Sequence, residues 1–360
     1  QLNGALISEG EFATLMSEVR ELTADMAAGA HGLPTFFETL TLVAMRWFAL
    51  QRADIVVLET GMGGRLDATN VVVPLATAIT TIALDHQTEL GGTLALIARE
   101  KAGIMKPGVP VVCAAQEVEA EQVISTRAIT IKCPLVRVGE ELSFTAGAYD
   151  TTGQSFTVAG RLGSYHGLTL PLLGEHQLQN ATVAVGLLEC VAEAWPEQRG
   201  AILAAIPAGL KSVNWPGRLQ VVGGTPLTLV DGAHDPAAIR ALLAALGRHY
   251  PGYRRRYVLG FMGDKDWAQM LALLAPTAEE MIIARLDSPR TAEPEELAVA
   301  ARALGVQVRV VDNIPLGVAL ARLAAGEDEL VCVTGSLYAV GEVLAGYTFK
   351  VQSSTSNVIP

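Results

Sequence analysis

Asp54-Ile-Val-Val-Leu58-Glu59-Thr60-Gly61-Met-Gly63-Gly64-Arg65-Leu66-Asp67-Ala-Thr-Asn70 begins as a short apolar, β-branched run and turns abruptly into a glycine-rich segment. The first five residues read as a buried strand, and Glu59 stands at its carboxyl end. Upstream, Phe36, Leu40, Val43, Trp47 and Leu50 step by four and three, the stripe of a helix. Thr35 and Glu38 form a capping box at its start, with Pro34 just ahead. Downstream, a second strand is expected over Ala76–Leu84, a helix over Thr93–Ile104 and a third strand over Val109–Ala114, after Pro107-Gly108. Strand, loop, strand, helix, strand is the rhythm of a parallel α/β sheet.

From about Cys133 to Leu173 the pattern changes to short alternating pieces with Gly, Ser and Thr, which reads as a small β-rich insertion. A helix follows over Gln177–Glu193. Trp215-Pro216-Gly217-Arg218 breaks the pattern as a linker would. The α/β rhythm then restarts, with strands near Leu227–Val230, Tyr257–Leu259, Met281–Ala284, Gln307–Val311 and Leu330–Val333 alternating with Ala/Leu-rich helices. The expected organisation is a first domain over 1–214, a linker over 215–224, a smaller Rossmann-like α/β domain over 225–348 and a loose polar tail from Thr348.

The 360 residues carry a formal charge of −11, which excludes a polyanionic partner unless a basic patch is concentrated somewhere. The best such patch, Arg254-Arg255-Arg256, reads as a solvated turn before a strand, so nucleic acid is not expected. No apolar run reaches the roughly 18 residues of a membrane span, and no signal peptide is visible. Cys113, Cys133, Cys190 and Cys332 are scattered without metal spacing, and Cys113 and Cys332 lie in apolar strand runs. Buried thiols of this kind point to a reducing, cytoplasmic setting.

Several residues carry chemistry. Ligands of open α/β sheets bind beyond the carboxyl ends of the strands, which draws attention to Glu59 and its glycine loop, with Arg65 and Asp67 supplying charge. The same loop also suits a tight turn with a surface ion pair. It is not a dinucleotide fingerprint, because Leu66 follows Gly61-x-Gly63 where a small residue is required. Asp85 and His86 end the next strand, and a carboxylate with an imidazole there can hold a divalent cation. Lys101 falls on the face of its helix that carries Leu94 and Ile97. Burial lowers the pKa of a lysine, and a neutral amine can add carbon dioxide to become a carbamate, an anionic metal ligand. A snorkelling lysine is the commoner arrangement.

Glu59 to Asn70, Leu84-Asp-His-Gln87, Leu90-Gly91, Thr93 and Ile97-Ala-Arg-Glu-Lys-Ala-Gly-Ile104 together resemble the ATPase domain of folylpolyglutamate and dihydrofolate synthases, within the Mur ligase group. The resemblance continues through Gly174-Glu-His-Gln177, Asn180-Ala181, Trp215 to Arg218, Asp231-Gly-Ala-His234, Gly263-Asp-Lys-Asp266 and Thr334-Gly-Ser-Leu-Tyr338. It implies a Mur-ligase-like ATPase domain with a mostly parallel sheet and a small β-rich insertion, plus the C-terminal α/β domain. It further implies that Mg-ATP phosphorylates a carboxylate of a folate or of dihydropteroate, and that the amine of L-glutamate then forms an amide. Glu59, His86 and a carbamylated Lys101 would hold Mg²⁺ and serve the catalysis. Gln177, Asn180, Arg218, Asp231 and His234 would contact ATP, with K⁺ as a further cofactor. The family is typically monomeric. The alternatives are a peptidoglycan-type amino acid ligase, an inactive nucleotide- or folate-binding homologue and, fourth, a nicotinamide dehydrogenase.

Two departures stand out. No G-x-x-x-x-G-K-[ST] phosphate loop occurs in these residues, and the opening Gln1-Leu-Asn-Gly-Ala-Leu-Ile-Ser-Glu-Gly10 resembles the family's hairpin just after that loop. About 50 residues, the size of a βαβ unit with its lead-in, are expected to be missing. Such a chain is expected to bind ATP weakly and to lack ligase activity by itself. Asp235 stands where the family usually has Asn, and an ionised Asp accepts hydrogen bonds without donating any.

Overall fold

The computed structural model of the chain describes residues 1–29 and 32–355. They form two compact units. The first holds residues 1–79, 87–111 and 117–135, and the second residues 80–86, 112–116 and everything described from 136 onward.

In the first unit, α1 (Glu9–Thr23) and α2 (Phe36–Leu50) each begin with a complete capping box, Ser8 with Glu11 and Thr35 with Glu38. In both, the N-cap hydroxyl and the third-residue carboxylate satisfy backbone N–H groups that the first turn leaves open. Leu15 and Val19 of α1 pack on Val43 and Trp47 of α2. The helix stripe is therefore real, but only its middle is buried, while Phe36 and Leu50 are exposed. Next come α3 (Gln87–Leu90), α4 (Leu94–Lys101, capped by the Thr93 side chain) and α5 (Val118–Ile131). The 3-10 turn Ala102–Ile104 completes the helix expected to Ile104. Strands β1 (Thr77–Ile79), β2 (Val111–Cys113) and β3 (Leu135–Arg137) lie in that order in one sheet.

The expected strand over Asp54–Leu58 does not form. The segment has no regular structure, and Val57 is 91% exposed. A β-branched run becomes a strand only where a neighbour takes its backbone N–H and C=O groups. No strand among the described residues pairs with it.

In the second unit, β4 (Ser143–Tyr149), β5 (Gln154–Ala159) and β6 (Ser164–Leu170) form the antiparallel sheet expected of the insertion. Phe156, Val158, Leu168 and Leu170 on its inner face pack against Leu178, Val185, Ile206 and Leu210 of α6 (Glu175–Ala194) and α7 (Arg199–Lys211). There follow β7 (Gln220–Gly223), β8 (Leu227–Val230), α8 (Pro236–His249), β9 (Arg254–Leu259), α9 (Trp267–Leu274), β10 (Ala278–Ala284), α10 (Pro294–Ala303), β11 (Val308–Val311), α11 (Ile314–Ala324), β12 (Glu329–Thr334) and α12 (Leu337–Thr355). The six strands run in the order β11-β10-β9-β12-β8-β7, parallel except for the antiparallel edge strand β7. Helices α8, α9 and α10 cover one face, and α11 and α12 the other. Strands buried on both faces need continuous apolar runs, which is why the sequence announces them so clearly. The expected linker runs into β7, and α12 continues as helix through the start of the expected loose tail.

Arg254-Arg255-Arg256 is not a solvated turn but the first half of β9. Arg256 lies 2.7 Å from Glu329 and 2.6 Å from Glu280, both buried, and Arg254 reaches Glu279, Asp328 and Glu329. Neighbouring strands bring the carboxylates alongside, and paired arginines tolerate a sheet interior.

Candidate functional site

The carboxyl edge of the second unit's sheet gathers the Asp231-to-Asp235 turn after β8, the Gly260–Asp266 loop after β9 and Gly335-Ser336 after β12. Asp231 Oδ2 accepts from Leu219 N (2.8 Å) and Oδ1 from Ala233 N (2.9 Å). It thereby ties the linker to the turn. Burial pushes the Asp231 carboxyl above its ordinary value, while those two N–H groups and the charges of Arg218 and His234 pull the other way. A Cβ at Gly232 would sit 2.5 Å from Arg218 Nη1 and 2.4 Å from Leu337 Cδ2. Glycine at that position lets the guanidinium lie against the turn.

A cluster of charged groups lies in the same unit. Lys265, nearly buried, places Nζ 2.6 Å from Asp85 Oδ1. Asp85 Oδ1 also accepts from the His86 backbone N–H at 2.8 Å, and His86 Nε2 is 3.4 Å from Asp85 Oδ2. That local bond accompanies a positive φ of 51° at His86, a conformation a non-glycine residue rarely adopts. Burial raises the Asp85 pKa, but the hydrogen bond and charge of Lys265, joined by His86, outweigh it and hold the carboxyl below its ordinary value. His234 Nδ1 is 2.8 Å from the Gly232 carbonyl, which can only accept, so Nδ1 donates there. That Nε2 lies 4.0 Å from Asp85 Oδ2. Asp235 is the N-cap of α8 through Ala238 N, 2.8 Å. One atom each of Asp85, His234 and Asp235 lies within 4.8 Å of the others.

At the start of α6, Gly174 turns the chain with φ 104°, and Gln177 is buried. Asn180 Nδ2 faces Gln177 Oε1 at 3.4 Å, so the two amides share one helix face.

Glu59 and Lys101 belong to the first unit. Glu59 is exposed and Lys101 half-buried, on the α4 face that carries the buried Ile97. The glycine loop is fastened to the end of α4. Arg65 N donates to the Glu100 carbonyl (2.9 Å), the Arg65 guanidinium pairs with the Glu100 carboxylate (3.1 Å), and Asn70 Nδ2 donates to the Arg65 and Gly103 carbonyls. Asp67 accepts from Met62 N, Thr69 N and Thr69 Oγ1, bonds that hold its carboxyl below the ordinary range against the raising effect of burial. Arg65 and Asp67 thus hold the loop's shape.

Reading the sequence missed Lys265 as a site residue and left Asp235 aside. Lys265 stands 180 positions from Asp85, and nothing local marks the pair. The only available sign was the Gly263-Asp-Lys-Asp266 string.

The Mur ligase middle domain profile matches residues 14–188, and the Mur ligase glutamate ligase domain profile matches residues 217–337. Dihydrofolate synthase/folylpolyglutamate synthase of Bacillus subtilis is 32% identical over 346 residues, covering 95% of this chain and 79% of that protein. The chain belongs to the folylpolyglutamate/dihydrofolate synthase family. That family's members are ATP-dependent acid–amino-acid ligases with the Mur ligase fold. The structure of Mycobacterium tuberculosis folylpolyglutamate synthase complexed with ADP and AMPPCP superposes with a TM-score of 0.86 at 31% identity, covering 95% of this chain and 79% of that one. The E. coli FolC complex with DHPP and ADP gives a TM-score of 0.83 at 29% identity, covering 96% and 78%. No helix among the described residues is long and apolar enough to cross a membrane.

Proposed function

We propose that this synthase-family chain uses Mg-ATP to activate a carboxylate of a reduced folate or of dihydropteroate as an acyl phosphate, which the amine of L-glutamate converts to an amide. The observation that carries this reading is the cluster at the carboxyl edge, where Asp85, His86, His234 and Lys265 come together from segments far apart in the sequence, in a chain whose relatives are folate ligases. In this reading Gln177, Asn180, Arg218 and Asp231 face the nucleotide, as His234 does at the turn. Arg218 meets phosphate charge, and Asp231 retains lone pairs for ribose hydroxyls beyond the two N–H bonds it accepts.

The donor set suits a divalent cation: the Glu59 carboxylate, the His86 imidazole and, once Lys101 has taken up carbon dioxide, the carbamate oxygens. Bound there, Mg²⁺ would neutralise phosphate charge, the main requirement of phosphoryl transfer. K⁺ is a further cofactor in this reading. The working protein is a cytoplasmic monomer, in keeping with four buried free cysteines. Its domains are 1–214 and 225–348, joined by 215–224, with the tail beyond.

The test is ATP-dependent incorporation of labelled L-glutamate, with dihydropteroate compared against tetrahydrofolate. Lys101→Ala is expected to abolish incorporation, with partial rescue by short carboxylates. Full activity of that variant would remove Lys101 from the metal site. Absence of incorporation with both acceptors by the full-length protein would remove the ligase assignment.

A further inference from the structure

We propose that Gln116 is the positioning residue for His86: its side-chain amide replaces a strand rung that the backbone lacks, and so fixes the segment that presents the imidazole. The inference rests on the ligase reading above, which gives His86 to the metal, and it adds the group that holds His86 in place.

The strand expected to reach Leu84 ends as β1 at Ile79, and Thr80 to His86 has no regular structure. Its backbone groups still need partners. Gln116 stands just beyond the end of β2, the neighbour of β1 in the sheet. Gln116 Nε2 donates to the Thr80 carbonyl (2.8 Å), and Gln116 Oε1 accepts from Ile82 N (2.9 Å). A residue in a parallel ladder donates to the carbonyl before the residue opposite and accepts from the N–H after it. The amide brackets Thr81 in that way, so one side chain supplies the two bonds of a strand residue. Its second N–H faces Cys113 Sγ at 3.5 Å. Turning the amide over would set its NH2 against the Ile82 N–H and its oxygen against the Thr80 carbonyl, so a single orientation fits.

The segment is held on other sides as well. Gln179 Nε2, from α6, donates to Thr81 Oγ1 at 2.7 Å, and the Ile82 side chain is buried. Only Ala83 and Leu84 separate Ile82 from Asp85, which Lys265 fixes at 2.6 Å. His86 follows, with its N–H on Asp85 Oδ1 and a φ of 51°. A left-handed backbone at a non-glycine residue persists only where its surroundings impose it. Lys265 holds the end of the segment next to His86, and Gln116 holds the other end. With the Gln116 amide removed, Thr80 and Ile82 lose their backbone partners, and His86 is free to relax toward negative φ. Its ring nitrogen is then no longer presented in a fixed direction. Loss of a group that orients a metal ligand typically costs about 10–100-fold in metal affinity.

Gln116→Met keeps the length of the side chain and removes both bonds. Gln116→Asn keeps an amide that is one C–C bond, about 1.5 Å, too short to reach both partners, and it serves where the Met variant fails to fold. Mn²⁺ is the probe, and its binding to the full-length protein with the ATP analogue AMPPCP is followed by the electron spin resonance signal of the free ion. The Kd for Mn²⁺ should rise about tenfold or more in both variants. The decisive comparison uses His86→Ala. That substitution should weaken Mn²⁺ binding by itself, and Gln116→Met added to it should weaken binding no further, because Gln116 acts through His86. Additive losses, or an unchanged Kd in both Gln116 variants, overturn the proposal. If His86→Ala leaves the Kd unchanged, or the full-length protein binds no Mn²⁺, the metal reading of His86 falls, and hydrogen exchange judges Gln116 by itself. The Ile82 and His86 amides should then exchange about tenfold faster or more in Gln116→Met, with the amides of β8, β9 and β12 unchanged. Equal exchange at Ile82 and His86 in the parent and the variant, or acceleration spread evenly over those strands, overturns the positioning role.

Discussion

Replacing Lys265 by Met removes the charge that holds Asp85 and leaves its shape nearly filled. The pair is short, 2.6 Å, with Lys265 at 11% exposure and Asp85 at 26%. Exposed pairs contribute about 0–1 kcal/mol, and stripping one partner from a fully buried pair costs about 3–5 kcal/mol. A largely buried pair with one face toward solvent belongs between, so about 2 kcal/mol is expected at pH 7. With a urea dependence of about 2 kcal/mol per molar, the unfolding midpoint of the second unit should fall by about 1 M. Three of the four tryptophans, Trp195, Trp215 and Trp267, lie in that unit, so a Trp47→Phe background makes fluorescence report on it alone.

The pH dependence has a definite sign. The folded pKa of Asp85 is held below its ordinary value, so the pair's contribution is complete above the unfolded pKa of about 3.9 and is lost as pH falls through the folded value. Without Lys265 the raising effect of burial is opposed by His86 alone. The difference between the parent and Lys265→Met should therefore be largest near neutrality and shrink below about pH 4. A cycle with Asp85→Asn isolates the pair: the double variant should lose little more than either single one, giving a coupling of about 1.5 kcal/mol. A coupling below about 0.5 kcal/mol, or a difference that does not change with pH, would refute the argument.

Gly103→Ala should destabilise the first unit by about 2–3 kcal/mol, because the new methyl would sit 2.3 Å from Arg65 Cβ and 2.4 Å from its Cα, and backbone has to move. Faster proteolysis within residues 61–70 would show the loop leaving α4. Glu329→Gln strips the charge that Arg256 and Arg254 share at a 2%-exposed position, and thermal unfolding should report a loss of about 3 kcal/mol in the second unit. Thr35→Ala removes the N-cap of α2 and should lower the stability of the first unit by about 1 kcal/mol in chemical denaturation.

What the sequence discloses depends on how far apart the interacting residues lie. Thr35 and Glu38 are three apart, and both halves of their capping box form as read. Leu227–Val230 begins and ends where its apolar run does, because a strand covered on both faces needs such a run. The arginine triplet misleads for the opposite reason. Its polarity suggests solvent, but the carboxylates that accept it into β9 lie 24 and 73 residues away. Asp54–Leu58 misleads in a third way. Hydrophobic pattern records which residues favour burial, and pairing with another strand is a separate condition that the pattern does not contain.

The aspartates sharpen the same point, since residues of one type divide by how their oxygens are used. Asp231 has both oxygens on backbone N–H groups, and so does Asp67. Their placement shapes a turn. Asp85 and Asp235 each accept a backbone N–H through Oδ1, and the second oxygen of Asp85 lies 4.0 Å from His234 Nε2. A carboxylate anchored through one oxygen is held still without being used up, and a fixed, partly available acceptor is what orientation of a substrate group requires. Asp231 and Asp235 stand four residues apart in one short turn, and nothing in the letters separates them. The separation arises when the linker brings Leu219 N to Asp231, and when Asp235 accepts a single N–H bond from α8. Site chemistry in this chain therefore follows from which lone pairs the fold leaves unspent, and that becomes countable only once the backbone partners are in place.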